Sequence, residues 1–322
     1  MRMFRFPMAA LLIACLISMA DGSAQDYPSK PIRYIVPSSG GSAVDTIGRI
    51  IAAGLTEVLG QQVFVDDRAG AGGNIGAAIA AKAPADGYTV LQVNNNHASN
   101  VTLYKNLTYD LIRDFAPVAK LAVSPYIIVV HPSLPVKTIS DLVKLAKSRP
   151  GAITYASAGV GSGTFMATEL LKSKAGVDML HIPYVGGGPA LTAVISGQTL
   201  VYGAPLATAL PHLPNGRLRG LAVTSAKRNS LLPGMPAAAE TIPGYEFTAW
   251  AGLLVPVKTP KEVIATLRNA VVTALNRPDV SKRLSDLGYD VVGGQPDELA
   301  AFIKLDIETM AKLIRDNSLS AN

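Results

Sequence analysis

The feature of this sequence that most constrains its fold is a regular alternation of short apolar segments and longer amphipathic segments. The short segments are rich in β-branched residues and apolar at consecutive positions, which is typical of strands covered on both faces. They occupy residues 32–36, 63–66, 88–93, 126–130, 153–157, 199–202, 218–224 and 250–255. Strands that alternate with helices predict an α/β fold with largely parallel sheets.

The amphipathic segments between these strands predict helices. Apolar residues follow helical spacing from Val44 to Leu59, and Thr138 is a candidate N-cap for a later helix. Residues 259–262 (Thr-Pro-Lys-Glu) form a capping box with proline at the first helical position, and a final helix is predicted over residues 296–315.

The N-terminal residues have the pattern of a secretory signal peptide. Arg2 and Arg5 precede an apolar stretch over residues 8–19, and Gly22-Ser23-Ala24 provides small residues for cleavage. Cleavage after Ala24 would make residues 1–24 the signal peptide and direct the protein to the periplasm. Lipoprotein processing at Cys15 is the alternative. Because Cys15 is the only cysteine, cleavage after Ala24 would leave no disulfide, thiol nucleophile or cysteine metal ligand.

The charge balance favours a small anion over nucleic acid as the partner. The chain has 29 Lys and Arg against 23 Asp and Glu, a formal net charge of +6, and 6% aromatic residues. The basic residues are scattered and few aromatic side chains are available to stack on bases, so no nucleic-acid surface is predicted. A mildly positive field instead draws small anions into a cleft.

No catalytic or metal-binding constellation stands out. The histidines, His97, His131, His181 and His212, lack the spacing of zinc sites, and no nucleophile elbow, P-loop or carboxylate pair is evident. We therefore expect a protein that is not an enzyme and uses no metal or cofactor. The alternative is a secreted hydrolase that uses a loop serine such as Ser162. It would need a histidine within hydrogen-bond reach, and His181 is the nearest in sequence.

Glycine and small hydroxyl residues are concentrated at four strand-to-helix turns, over residues 37–43, 70–76, 157–164 and 184–189. The first amides of a helix lack internal partners, and the helix dipole places partial positive charge beside them. Glycine lets an anion approach the backbone closely, and hydroxyl groups add donors. These turns predict capture of a small carboxylate without an arginine. The second turn is not a dinucleotide fingerprint, because its third glycine comes one residue late.

Seven motifs that occur in order carry a family resemblance. They are Tyr-Pro-Ser-Lys-Pro-Ile at 27–32, Asp-Arg-Ala-Gly-Ala-Gly-Gly-Asn-Ile-Gly at 67–76, Asp-Gly-Tyr-Thr at 86–89, Asp-Phe-Ala-Pro-Val at 114–118, His-Ile-Pro-Tyr at 181–184, Leu-Ala-Val-Thr-Ser at 221–225 and Trp-Ala-Gly-Leu-Leu-Val-Pro at 250–256. Together they resemble the Bug family, the solute-binding components of tripartite tricarboxylate transporters. The resemblance implies a two-lobed, type II-like periplasmic binding protein in which each lobe is a mixed, mainly parallel sheet flanked by helices.

The resemblance also implies a set of ligand-binding residues. In this family the first strand-to-helix loop holds a ligand carboxylate through backbone amides, often through ordered waters, and the second lobe adds a glycine-rich loop. One implied wall comprises Ser38, Ser39, Gly41, Ser42, Ala43 and Asp45, and the other comprises Gly161, Ser162, Gly163 and Thr164. Phe165 is either an apolar contact for the ligand or a core residue of the following helix. The expected flanking contacts are Asn95, Asn96, Tyr184, Ala204 and Pro205. Family members usually have an aromatic residue and prolines in place of Ser38 to Gly40, and often a histidine in place of Phe165, so the ligand is not to be copied from a relative.

The implied organisation is a clamp. No linker divides the chain in two, so we expect residues 25–125 with 249–322 in one lobe and residues 126–248 in the other. Ligand would close the lobes about hinges near residues 123–128 and 245–249. The implied partners are a small carboxylate and membrane transporter subunits, with a monomeric receptor. An alternative is a sensor adaptor that acts on a membrane kinase.

Overall fold

The computed structural model describes residues 27–319, so the predicted signal peptide at 1–24 lies outside the described residues. The strands are β1 (Ile32–Val36), β2 (Val63–Asp67), β3 (Thr89–Asn94), β4 (Phe115–Val130), β5 (Thr154–Ser157), β6 (Leu180–Pro183), β7 (Val201–Pro205), β8 (Arg219–Val223), β9 (Thr248–Pro256) and β10 (Asp290–Val291). The helices are α1 (Ala43–Leu59), α2 (Asn74–Ala81), α3 (Asn95–Leu103), α4 (Ile139–Ser148), α5 (Gly163–Ala175), α6 (Gly187–Ile195), α7 (Leu206–Ala209), α8 (Lys261–Asn276), α9 (Pro278–Asp286) and α10 (Pro296–Asp316). Short 3-10 helices cover Ala71–Gly73, Leu210–His212 and Ala238–Glu240.

The strands form two mixed sheets that share β4. In the first lobe β2, β1 and β3 run parallel, and β9 and β4 extend the sheet by antiparallel pairing. In the second lobe β6, β5 and β7 run parallel, and β4 pairs antiparallel with both β7 and β8. Helices flank both sheets, so the predicted α/β fold is confirmed.

The apolar strands are covered on both faces, as their sequence predicts. In β1 the fully buried Tyr34 belongs to an apolar cluster with α1 and α8, whereas its neighbour Ile35 belongs to a cluster with α2 and α10. Successive side chains of a strand point to opposite faces, so one short apolar segment supplies two cores. Burying each such side chain stabilises the fold by about 1.5–3 kcal/mol.

The long strand β4 passes from one lobe to the other. Its residues 115–125 pair with β9, and its residues 126–130 pair with β7 and β8. Only the second part was predicted, because Pro117 and Pro125 interrupt the apolar pattern of the first. Register shifts beside Pro117 and beside Lys120 mark irregular pairing where a proline or an extra residue is tolerated. The change of partner falls within the predicted hinge at 123–128, while the lobe boundaries themselves stay a prediction.

Other elements also were not predicted, among them β6, α3 and α9. β6 is an edge strand that contains a histidine and a proline and is partly exposed, so it has no apolar run. α3 is mostly polar yet largely buried, because hydrogen bonds satisfy its side chains. α9 begins at Pro278, which the sequence analysis treated only as the end of α8.

The C-terminal helix α10 packs against both lobes. Leu299 and Ile303 belong to an apolar cluster of the first lobe, and Leu313 and Ile314 belong to a cluster of the second. Between them Asp306 accepts a hydrogen bond from Trp250 Nε1 at 2.8 Å, and burial raises its pKa to about 6. The helix thus spans the same junction that β4 crosses. Within residues 27–319, no helix is both long enough and apolar enough to cross a membrane.

Candidate functional site

The glycine-rich turns lie at the carboxyl ends of parallel strands. In the first lobe the turn after β1 leads into α1, and β3 leads directly into α3. In the second lobe the turns after β5 and β6 lead into α5 and α6. Neighbouring parallel strands end at the same edge of a sheet, so each lobe gathers its turns at one edge.

The first loop, defined as residues 37–42, is held by the first turn of α1. Ser42 caps the helix, because its Oγ accepts a hydrogen bond from the Asp45 amide at 3.2 Å and donates one to Ser38 Oγ at 2.9 Å. Asp45 Oδ2 accepts a hydrogen bond from the Gly41 amide at 2.6 Å, and Ser39 O accepts one from the Ser42 amide at 3.3 Å. The predicted residues of this wall therefore form one hydrogen-bonded turn.

The second-lobe loop, defined as residues 158–162, is ordered by the hydroxyl groups of α5. Ser162 caps α5 by accepting from the Phe165 amide at 3.3 Å, and it donates to Gly159 O at 2.6 Å. Thr164 Oγ1 accepts from the Ala158 amide at 2.8 Å and lies 3.0 Å from Ser162 Oγ. These hydroxyl groups shape the loop from within, which leaves backbone amides as its free donors.

The two lobes meet where α3 and α5 begin. Asn96 Oδ1 accepts a hydrogen bond from the Gly163 amide at 3.1 Å, which joins the first turn of α3 to the first turn of α5. A Cβ at Gly161 would lie 2.5 Å from Leu103 Cδ1 and 3.5 Å from Asn100 Oδ1. The second-lobe loop thus packs directly on a helix of the first lobe, and the structure brings Asn96, Gly161 and Gly163 together.

The first loop lies on the neighbouring side of α3. β1 and β3 are adjacent parallel strands, so their ends are about 5 Å apart. A Cβ at Gly73 would lie 3.2 Å from His97 Nε2 and 3.3 Å from Pro37 Cβ. Pro37 of the first loop and His97 of α3 therefore both lie next to Gly73. Across the described part of the chain, no hydrogen bond joins the first loop directly to the second-lobe loop.

The glycine-rich turn after β2 serves packing. Asn100 Nδ2 donates to Gly72 O at 3.1 Å and to Asn74 Oδ1 at 2.8 Å. A Cβ at Gly76 would lie 3.2 Å from Arg68 O. These contacts fasten α2 and α3 to one another and account for the glycines without a ligand.

Tyr184 and Pro205 lie beside the second-lobe loop. The Tyr184 amide donates to Ser157 O at 2.9 Å, and a Cβ at Gly159 would lie 3.7 Å from Tyr184 O. Pro205 ends β7 opposite Tyr126, and both Tyr184 and Pro205 are partly exposed. Their positions suit flanking contacts.

Three predicted contact residues lie in the interior. Phe165 is 4% exposed, with its ring 4.7 Å from that of His181, and Ala204 is fully buried opposite Ile127. Asn95 donates to Thr248 O at 3.0 Å and accepts from the Trp250 amide at 3.1 Å, which fixes α3 to the start of β9. Their observed contacts are with protein, and direct ligand contact by these residues stays a prediction.

Three amides at the N-termini of α1 and α5 are free for a ligand. No acceptor among residues 27–319 takes a hydrogen bond from the amides of Ala43, Val44 or Thr164. The predicted donors Gly41 and Gly163 are instead engaged, with Asp45 and Asn96 respectively. A hydrogen bond from a free amide to a charged carboxylate contributes about 1.5–3 kcal/mol, so these donors can hold an anion without an arginine.

The charged side chains nearest the first loop are paired with one another. Arg49 Nε lies 2.7 Å from Asp45 Oδ1, and Arg49 Nη2 lies 2.7 Å from Asp67 Oδ2. Burial, and next the negative charge of Asp45, raise the pKa of Asp67. Over residues 27–319, no group of three His, Cys, Asp or Glu side chains has the arrangement of a metal site.

The serine–histidine contact of the second lobe involves Ser157, not Ser162. Ser157 Oγ lies 2.6 Å from His181 Nε2 and accepts from the Gly159 amide at 3.0 Å. Ser157 is fully buried, and burial lowers the pKa of His181 to about 4. The described residues place no histidine within hydrogen-bond reach of Ser162, so the geometry that a hydrolase needs is not met there.

Several residues that shape the site escaped prediction. Tyr126 lies under α5, and Leu103, Asn100 and Arg49 hold the loops from neighbouring elements. The pairing of Arg49 with Asp45 could have been predicted from the sequence, because Arg49 lies one helical turn after Asp45. The other three act through contacts between residues distant in sequence, which spacing alone does not reveal.

A family model and several known proteins match most of this chain. Residues 47–319 match a family model described as the tripartite tricarboxylate transporter family receptor. A protein of Pseudomonas sp. (strain P51), the UPF0065 protein in the tcbD-tcbE intergenic region, is 37% identical over 318 residues, which cover 98% of this chain and 95% of that protein.

Two solved structures share the fold and much of the sequence. Rpa4515 of R. palustris with adipate has a TM-score of 0.87 and 34% identity, and the match covers 92% of this chain and 99% of that chain. MatC (Rpa3494) from Rhodopseudomonas palustris with bound malate has a TM-score of 0.83 and 31% identity, with coverage of 89% and 100%.

Proposed function

Because this chain belongs to the tripartite tricarboxylate transporter family of receptors, the family that its motifs predicted, we propose that it captures a small carboxylate between its lobes in the periplasm and delivers it to membrane transporter subunits. The receptor acts as a monomer without enzymatic activity, metal or cofactor.

The observation that carries the proposal is the position of the helix N-termini. α1 and α5 begin at the two sheet edges that meet at α3, and the amides of Ala43, Val44 and Thr164 have no acceptor in the described part of the chain. The N-termini of both helices lie beside α3, so the positive ends of two helix dipoles are near the contact between the lobes. That arrangement suits an anion bound by backbone donors.

A carboxylate is the anion that the relatives support. The structure of Rpa4515 contains adipate and that of MatC contains malate, and this chain shares 34% and 31% identity with them. Apart from Asp45, which accepts the Gly41 amide, the walls here have no charged side chain, so backbone amides take the place of ionised side chains. We expect the ligand to be a small acid of this kind.

Capture proceeds by closure about the strands that join the lobes. β4 changes partners at residues 125–126, and Thr248 of β9 pairs with Pro125 at the same level. A ligand that contacts the first loop and the second-lobe loop together binds the closed arrangement more tightly than the open one. It therefore shifts the population toward closure by its difference in affinity.

A thermal-shift experiment on the purified protein without residues 1–24 tests the proposal. The panel contains adipate, malate and other small carboxylic acids, with adipamide as an uncharged match for adipate, and glucose and putrescine as further controls. An acid at about 100 times its dissociation constant should add about 2.7 kcal/mol of stability and raise the melting temperature by several degrees. Stabilisation by glucose or putrescine, with none by any acid, contradicts the proposal.

Ala43→Pro sharpens the same experiment. Ala43 is the first residue of α1 and follows Ser42, whose backbone is extended, so proline fits there while removing the amide donor. We expect Ala43→Pro to lose most of the acid-induced shift while keeping its melting temperature without ligand. Ala43→Gly, which retains the amide, should keep the shift. Equal shifts in both variants would argue against an anion held at this helix N-terminus.

A further inference from the structure

A cluster of two carboxylates and one guanidinium lies beside the first loop; Asp45 belongs to the first wall, whereas Arg49 and Asp67 lie outside both walls. Asp45 and Arg49 are one turn apart on α1, and Asp67 ends the neighbouring strand β2. Arg49 reaches Asp45 Oδ1 with Nε and Asp67 Oδ2 with Nη2, both at 2.7 Å. One side chain thus ties the start of α1 to the end of β2.

This cluster contacts the backbone of the loop itself. Asp45 is 3% exposed, and its Oδ2 accepts the Gly41 amide at 2.6 Å. A Cβ at Gly40 would lie 3.5 Å from Asp67 Oδ2 and 4.0 Å from Asp45 Oδ2. The loop therefore contacts both carboxylates. Gly41, with φ of 77°, makes the turn of the chain next to them.

Two carboxylates under an anion-binding loop oppose that function unless they are compensated. Like charges this close disfavour joint ionisation, and the pKa of Asp67 is raised by burial and then by the charge of Asp45. Asp66, the next residue, is already paired with Arg33 and with Arg68, so Arg49 is the cation that faces Asp45 and Asp67. With Arg49 the cluster carries one net negative charge, and without it two.

We propose that Arg49 is a positioning residue for ligand capture: by bridging Asp45 and Asp67 it holds the first loop in its anion-receptive conformation and cancels charge beneath it. This inference rests on the proposed function, because it concerns the same loop. Arg49 itself need not touch the ligand, since its guanidinium is already engaged by two carboxylates.

The first test needs no ligand. Amide hydrogen exchange is compared in the wild type, Arg49→Met and Arg68→Met, the last being a matched control that breaks a pair with Asp66 on the same strand end. In Arg49→Met we expect the Gly41 and Asp45 amides to exchange at least about tenfold faster, with the second-lobe loop unchanged. Arg68→Met should leave the first loop at its wild-type rates.

The second test measures the affinity for adipate, or for whichever acid of the thermal-shift panel binds most tightly. Arg49→Met should weaken binding about tenfold or more, because the loop is loosened and one more negative charge lies beneath it. Adding Asp67→Asn removes that extra charge and should recover at least about threefold of the loss. Arg68→Met should change the affinity less than about twofold.

The dependence on pH separates the electrostatic role from simple loss of structure. Lowering the pH favours the protonated form of Asp67, whose pKa is raised, and so removes a charge from the uncompensated pair. The ratio of the Arg49→Met dissociation constant to that of the wild type should therefore fall as the pH is lowered. Taking the ratio cancels protonation of the acid itself.

The outcomes decide between the two proposals. If the wild type binds no acid, the proposed function fails. The role of Arg49 in holding the first loop is then tested by amide hydrogen exchange alone. Unaltered exchange at Gly41 in Arg49→Met overturns the inference, as does wild-type affinity in that variant. An equal loss in Arg68→Met, or no recovery with Asp67→Asn, also overturns it.

Discussion

Gly163, in the glycine-rich turn after β5, lies where the two lobes meet, and the close packing there depends on its lack of a side chain. A Cβ at this position would overlap Tyr126 Oη and lie 2.8 Å from Tyr126 Cζ. The close approach of α5 to β4 is therefore available only to glycine. Because the same residue donates its amide to Asn96, the packing of α5 and the contact between lobes depend on one position.

Gly163→Ala should destabilise the protein by about 1–3 kcal/mol, because the added methyl overpacks the contact with Tyr126. Urea denaturation measures this change. Tyr126→Phe in the Gly163→Ala background removes the overlapping oxygen and should restore part of the loss. Gly188→Ala is the matched control, since a Cβ there meets nothing within 4 Å and its stability should be unchanged or slightly higher. An equal cost at both glycines would contradict the steric explanation.

For single residues, the sequence predicts roles that depend on neighbours in the chain. Ser42 and Ser162 precede helices and can be identified as N-caps from their neighbours in the chain, and both cap α1 and α5 in the structure. The role of Tyr126 was not predictable, because it depends on contact with Gly163, which is 37 positions away in the sequence. The same holds for Asp67 and Arg49, which only the pairing of β1 with β2 brings together.

At the scale of elements, apolar strands were predictable and irregular ones were not. β1 and β3 are buried on both faces, and their apolar residues, four of five in β1 and Val90, Leu91 and Val93 in β3, mark them in the sequence. β6 lies at a sheet edge, and α3 buries polar side chains that bond to backbone groups or to residues of other elements, so neither leaves a periodic pattern. The missed helix α3 is the element that joins the two walls of the site.

α3 and α5 are joined by Asn96, which makes the contact a candidate latch between the lobes. The hydrogen bond from the Gly163 amide to Asn96 Oδ1 favours the closed arrangement by about 0.5–1.5 kcal/mol. Asn96→Ala should therefore increase the radius of gyration of the free protein in small-angle X-ray scattering. It should also weaken adipate binding about two- to tenfold, because less of the protein is in the binding-competent state.

Asn215→Ala is a suitable control for the latch. Asn215 lies in an exposed turn of the second lobe, where its contacts are with Pro211 and Arg217. The radius of gyration and the affinity of this variant should match the wild type. Tighter ligand binding in Asn96→Ala would mean that Asn96 competes with the ligand for the Gly163 amide, and the latch would be refuted.

At the scale of the whole molecule, β4, β9 and α10 lie at the junction of the lobes. β4 passes from one sheet to the other, β9 begins beside that crossing at Thr248, and α10 contributes apolar residues to the cores of both lobes. A motion that separates the lobes must therefore act on α10 as well as on the two strands. From the sequence, all of residues 249–322 are expected in the first lobe, since helical spacing within α10 does not indicate which lobe each turn contacts.

The central claim is that one carboxylate is held by backbone amides from both lobes at once. A titration of isotope-labelled protein with adipate, or with the acid that binds most tightly, followed by amide chemical shifts in NMR spectra, tests it directly. We predict that Ala43, Val44 and Thr164 shift together, saturate at one equivalent and share one dissociation constant. Shifts confined to one lobe, or to neither loop, would contradict the account.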